Sequence, residues 1–165
     1  MYQLKPLPKD VIPAALEKAR CYRFINEPME AESICLDILE VDKNNQSALI
    51  TLILSITDQF DRELSTAFTR AKELLSRLDA KFHQVYYEGI ICERRAKTHL
   101  KRGGHGSGRM AYEWFQKAMS LFDQAIDMSP AGDEEAVLRW NACARQIMRN
   151  PGLKPGEKSP ESMLE

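Results

Sequence analysis

Apolar side chains recur along this chain at intervals of three and four, the spacing that places them on one stripe of an α-helix. Ala15, Leu16, Ala19, Tyr22 and Phe24 form the first stripe, with Asp10 as its candidate cap. Pro13 falls in that helix's first turn, where a missing N–H costs little. Asn26-Glu27-Pro28 breaks the pattern, and Pro28 opens a second helix, about Pro28–Val41, carrying Ala31, Ile34, Cys35, Ile38 and Leu39. Further helices are predicted at Ser47–Gln59, Arg62–Leu78 and Phe82–Leu100, the last running to about Arg102 with Gly103 as its stop. The next starts after Ser107 and carries one continuous stripe through Met110, Ala111, Trp114, Phe115, Ala118, Leu121, Phe122 and Ala125. A last helix, Glu134–Arg149, ends at Asn150-Pro151-Gly152. The pattern predicts an all-α protein.

The helices also keep a common register. In Ala118–Pro130 the small residue Ala118 is followed at four by Phe122, at seven by Ala125 and at twelve by Pro130. Ala31, Cys35, Ile38 and Lys43 repeat the four, seven and twelve, with Lys43 in the proline's place. Ala67, Ala71, Leu74 and Asp79 repeat them again. Ile53 stands ten residues after Lys43, and Gly89 ten after Asp79. Small residues let a neighbouring helix approach, the aromatic fills the gap beside them, and proline stops the helix.

This arrangement resembles the tetratricopeptide (TPR) family, whose A-x-x-x-F…P signature closes a helix–turn–helix unit. The resemblance implies an α–α superhelix of about three helix pairs over residues 10–150: 10–43, 44–79, 80–130, and a capping helix over 133–149. Two departures are expected to show. Ile53 and Ala67 lie fourteen residues apart rather than twelve, which predicts a longer turn near Asp58–Asp61. Gly89 and Ala118 lie twenty-nine apart, which predicts an elongated third pair hinged at Gly103-Gly104-His105-Gly106-Ser107-Gly108. Trp140 stands where the repeat wants a small residue, as suits a terminal cap. The long third pair and the LRWNACAR cap are similar to those of bacterial TPR proteins, and that similarity implies no activity.

Composition narrows the picture further. Of 165 residues, 44% are hydrophobic and 28% charged, ordinary values for one globular domain. The net charge of −1 argues against a protein dedicated to nucleic acid. The longest apolar run, Ala48–Ile56, is too short to cross a bilayer, and the N-terminus has no apolar core of a secretory signal. The expected setting is cytoplasmic, away from membranes. Cys21, Cys35, Cys92 and Cys143 form no C-x-x-C pair and are read as buried, reduced thiols. Residues 1–9 are read as an extended segment and 151–165 as a flexible polar tail.

In TPR proteins the first helix of each pair lines a concave groove that holds extended or helical segments of partners. Carried over by position, the resemblance assigns Leu16, Arg20, Arg23 and Phe24 from the first pair. Ser47, Ile50, Leu54, Thr57 and Asp58 come from the second, and His83, Tyr86, Ile90, Glu93 and Arg94 from the third. Asn141 and Arg145 of the cap complete the set. A carboxylate clamp of the heat-shock chaperone type would need Leu16, Arg20, Thr51, His83 and Tyr87 to be cationic or amide residues. Only Arg20 is firmly cationic, so that assignment is rejected.

Other chemistry is weakly signalled. The run Arg94, Arg95, Lys97, Lys101, Arg102 and Arg109 beside GGHGSG is the strongest basic cluster, and backbone N–H groups there would suit a phosphate. It follows a helix rather than a strand and lacks the lysine of a phosphate-binding loop, so dipole complementation and a glycine turn account for it better. His83, His99 and His105 have no partners at metal-ligand spacing. No nucleophile motif occurs, and adjacent carboxylates such as Asp133, Glu134 and Glu135 fit a helix start. The expectation is a non-enzymatic protein-binding adaptor with no catalytic, metal or cofactor site. The rivals are a structural subunit that self-associates as a homodimer through Trp114 and Phe115, and a phosphate- or nucleotide-responsive module at the glycine turn. A further option has Met1–Lys9 lying in the groove as a plug.

Overall fold

A computed structural model describes residues 1–156. Among these the chain is all-helical, with seven α-helices and two 3-10 turns and no strand. The helices are α1 (Ile12–Phe24), α2 (Pro28–Val41), α3 (Gln46–Thr57), α4 (Phe60–Leu74), α5 (Lys81–Arg102), α6 (Ser107–Met128) and α7 (Glu135–Arg149). The 3-10 turns are Lys9–Val11 and Leu75–Arg77. Each helix packs mainly on the next in the chain, and α5 with α6 makes the longest of these contacts.

The helix ends follow from local chemistry. Pro28 opens α2, and Asn26, the one non-glycine residue at positive φ (61°) among those described, closes α1. Its left-handed turn lets the Glu27 N–H reach back to the Tyr22 carbonyl at 2.8 Å. Asn45 caps α3, its Oδ1 accepting from the Ala48 N–H at 2.9 Å. Gly103 (φ 65°) ends α5 and Gly106 (φ 77°) precedes α6, conformations that a side chain disfavours.

Three local expectations differ from what is found. Asp10 caps nothing, because it lies inside the first 3-10 turn and α1 begins after Val11. Ser107 is the first residue of α6 rather than its cap. The turn between α3 and α4 is only Asp58-Gln59. The surplus residues are instead taken up by a break inside α4 at Glu63 (φ −138°, ψ 58°). Phe60, nearly wholly buried, holds the start of α4 against the core and keeps that turn short.

The core has two apolar clusters that meet on α5. The first joins α1–α4 through residues such as Ala31, Cys35, Ile38, Leu49, Ile53 and Phe60, and takes Ile91 from α5. The second joins α5–α7 through Ile90, Phe115, Ala118, Phe122, Ala125 and Cys143. Tyr87 packs against both. Gly89 makes the α5–α6 contact close, since a Cβ there would lie 2.6 Å from the Phe122 ring.

The elongated part of the α5–α6 hairpin rests on the chain itself. Trp114 meets Phe68 of α4 edge-on with ring centroids 5.3 Å apart, and the Arg95 guanidinium caps both rings at 4.2 Å. Phe115 is fully buried. The segment after α7 also contributes, and here the expectation of a flexible tail from residue 151 fails. Leu153 is 5% exposed within the second cluster, and the Gly152 carbonyl sits so close to Gly108 that a Cβ there would collide with it. Residues 157–165, the remainder of that expected tail, lie outside the described residues.

Met1–Lys9 is not a plug. Leu7 packs on the first cluster, and Leu4 and Pro6 border a cavity with Leu36, Asp37 and Glu40 of α2. Cys21 is exposed, contrary to its expected burial, because Ala19 takes the inward position of that turn. Cys35, Cys92 and Cys143 are buried, and burial pushes their thiols up to about 12, 11 and 12. Among the described residues no helix is long and apolar enough to cross a membrane.

Candidate binding cleft

Two cavities open side by side along α1, α3 and α5. The first, of about 570 Å³, is lined by Arg20, Arg23, Phe24, Asn26, Ser47, Ile50, Thr51, Leu54, Asp58 and Tyr87. The second, of about 380 Å³, takes Phe82, His83, Tyr86, Ile90 and Arg94 of α5 together with Asp133, Glu135 and Arg139 beside and on α7. Arg23, Leu54 and Tyr87 border both, so the two form one cleft.

Eleven of the residues assigned by position therefore line the cleft: Arg20, Arg23, Phe24, Ser47, Ile50, Leu54, Asp58, His83, Tyr86, Ile90 and Arg94. Others do not. Leu16 packs half-buried against the first apolar cluster. Glu93 is wholly buried, paired with Lys97 and with Arg139 Nη1 at 3.5 Å. It sits three residues from Ile90, so the same α5 stripe carries it inward. Asn141 and Arg145 lie on α7 away from both cavities.

The cleft also has residues that positional reasoning missed. Tyr87 separates the two cavities, Phe82 stacks on Tyr86 with centroids 5.8 Å apart, and Arg139 closes the α7 end. The aromatic run FHQVYY was the available signal for the first two. Arg139 comes from a helix whose approach to α5 no local spacing records.

Its electrostatics centre on Asp58. The carboxylate accepts from Arg23 Nε at 2.7 Å and Nη2 at 3.3 Å, and pairs on its other side with Arg94 Nη1. Arg94 also donates to Thr57 Oγ1 at 3.0 Å, whose hydroxyl in turn donates to the Leu54 carbonyl at 2.8 Å. One carboxylate from α3 is thus shared by two guanidiniums, one from α1 and one from α5. At the far end the Tyr86 hydroxyl donates to Glu135 at 3.1 Å. Burial pushes the Tyr86 phenol up to about 12, against the opposing pull of Arg139, and also raises Tyr87. Both stay neutral hydrogen-bond donors at neutral pH.

Apolar surface lies exposed at the lip. Phe24 is 90% exposed and Ile25 and Met29 follow it around the α1–α2 turn. Arg20, one helical turn before Phe24, pairs among the described residues only with the exposed Glu17, at 3.6 Å.

The basic cluster near the glycine turn is differently disposed. Lys101 pairs with Asp61, Arg102 donates to the Phe60 and Asp61 carbonyls at 3.2 Å, and Arg109 pairs with Glu113 at 3.1 Å. With Arg94, Arg95 and Lys97 engaged as described, its cations point to separate internal partners rather than to one anion. Among the described residues no three His, Cys, Asp or Glu side chains gather to hold a metal. In comparisons with known proteins, no family model, no curated protein and no solved structure matches the chain.

Proposed function

We propose that the protein is a non-enzymatic adaptor of TPR type, whose helix pairs 10–43, 44–79 and 80–130 present one cleft to a segment of a partner protein. The observation that carries the reading is the cleft itself. The odd-numbered helices α1, α3 and α5 line it together, with an apolar floor at Ile50, Leu54 and Ile90 and charged groups around it. Self-association through Trp114 and Phe115 is less supported, because Phe115 is fully buried and Trp114 is partly buried against Phe68 and Arg95. A phosphate-responsive glycine turn is less supported for the same kind of reason, its cations having internal partners. A reducing, cytoplasmic setting belongs to the proposal, in keeping with three buried unpaired thiols.

The test is affinity capture from a lysate of the source cell, comparing wild type with Arg20→Glu/Phe24→Ala. Both positions are exposed, so the variant should fold normally. A partner recovered by wild type and lost by the variant supports docking in the cleft. Identical recovery by the two proteins would move the binding surface elsewhere.

A further inference from the structure

The shared carboxylate at the cleft floor suggests what the cleft selects. Arg23 and Arg94 are half-buried and face one another across Asp58, and among the described residues no second carboxylate pairs with either. Two guanidiniums carry +2 and one carboxylate −1, so the trio keeps one positive charge with about a fifth of each side chain open to solvent: 21% for Arg23 and Asp58, 23% for Arg94. An arginine fork has five donors, and Asp58 has only two oxygens to divide between two forks. A buried surplus of this kind is costly, and a second carboxylate would relieve it. The charge is also local. Arg20 adds a further cation at the same end, whereas at the α7 end Asp133 and Glu135 outnumber Arg139 and leave a net negative charge.

Resting on the adaptor reading, we propose that the cleft takes a peptide segment in which an Asp or Glu side chain enters between Arg23 and Arg94 while a neighbouring apolar side chain rests on Phe24 and Ile50. The acidic α7 rim repels a second acid and so orients the segment, its acidic residue toward α1 and a neutral or basic one toward α7. Phe24 lies in the same cavity as Arg23 and Ile50, and its exposure leaves an apolar face for the adjoining side chain.

Random peptides displayed as internal fusions and panned on the full-length protein test this. The expected result is enrichment of sequences with Asp or Glu at a fixed spacing from an aromatic or aliphatic residue. Changing that acid to its amide in a selected peptide should weaken binding about tenfold. Asp58→Asn should tighten the acidic peptide several-fold, because it removes the internal competitor and keeps an acceptor. Arg23→Gln/Arg94→Gln should abolish the preference for acid and leave the apolar preference. The peptide substitution keeps the test decisive even where a variant folds poorly. Enrichment without acid, or equal binding of the acid and amide peptides, overturns the acidic specificity while leaving cleft docking intact. Failure to enrich any peptide that Phe24→Ala releases overturns cleft docking itself.

Discussion

The cleft and the elongated α5–α6 hairpin are made of the same side chains, arginines and aromatics, arranged to opposite ends. In the hairpin most of the conspicuous groups have an internal counterpart. Arg95 caps Trp114 and Phe68, Lys101 pairs with Asp61, Arg102 binds the α4 carbonyls, and Leu153 folds back beneath the glycine turn. In the cleft the counterparts are fewer than the groups. Asp58 is divided between Arg23 and Arg94, and Phe24 faces solvent. Basic and aromatic residues that find each other within a chain contribute to its stability. Those left over are available to something outside it.

The first way to break the comparison is at the hairpin's centre. Phe115→Ala removes a fully buried ring and should cost about 3–5 kcal/mol, read as a large fall in the denaturant midpoint. A loss below about 1 kcal/mol would mean that the extension is not part of the cooperative core. Next in size, Leu153→Ala should cost about 2–3 kcal/mol as the segment after α7 comes away. Gly108→Ala should lower the midpoint too, since its Cβ meets the Gly152 carbonyl. If Leu153→Ala lowers the midpoint and Gly108→Ala does not, Leu153 is buried by some other route.

How much of this was legible in sequence depends on how far apart the interacting residues lie. Spacing of three and four located all seven helices, and it marked Gly89 as a small position, but that the Phe122 ring is what approaches it was not readable. The break at Glu63 was not readable, because a surplus of two residues can be absorbed in a turn or in a helix with the same count. Burial of Glu93 depends on Arg139 arriving from α7, and burial of Leu153 on the reach of a Pro/Gly-rich segment that composition alone marks as a tail. Asp58 was placed in the groove by position. That two arginines would converge on it is a matter of how α1, α3 and α5 are brought together.

A smaller effect on stability, and a larger one on function, is expected at the lip. Phe24→Ala should change stability by less than about 0.5 kcal/mol, since the ring is 90% exposed. It should nonetheless weaken any ligand held in the cleft, measured by fluorescence anisotropy with a selected peptide. Equal affinity for wild type and variant would place the apolar contact elsewhere.

The smallest effect concerns pH and belongs to the hairpin. His99 is held below its ordinary value by burial first, then by the charges of Arg95 and Arg102 on the same helix. The unfolded chain then binds a proton more readily than the folded one, so stability falls as pH drops through the ordinary histidine value of about 6.5 toward the lowered one. Above that window the neutral ring adds no pH dependence. His99→Gln should remove this part of the acid destabilisation, and unfolding midpoints recorded on either side of the window should lie closer together than in wild type. An unchanged difference would show that His99 titrates alike in both states. Because His99 lines neither cavity of the cleft, the change should appear in stability and leave peptide affinity there untouched, the reverse of what Phe24→Ala should do.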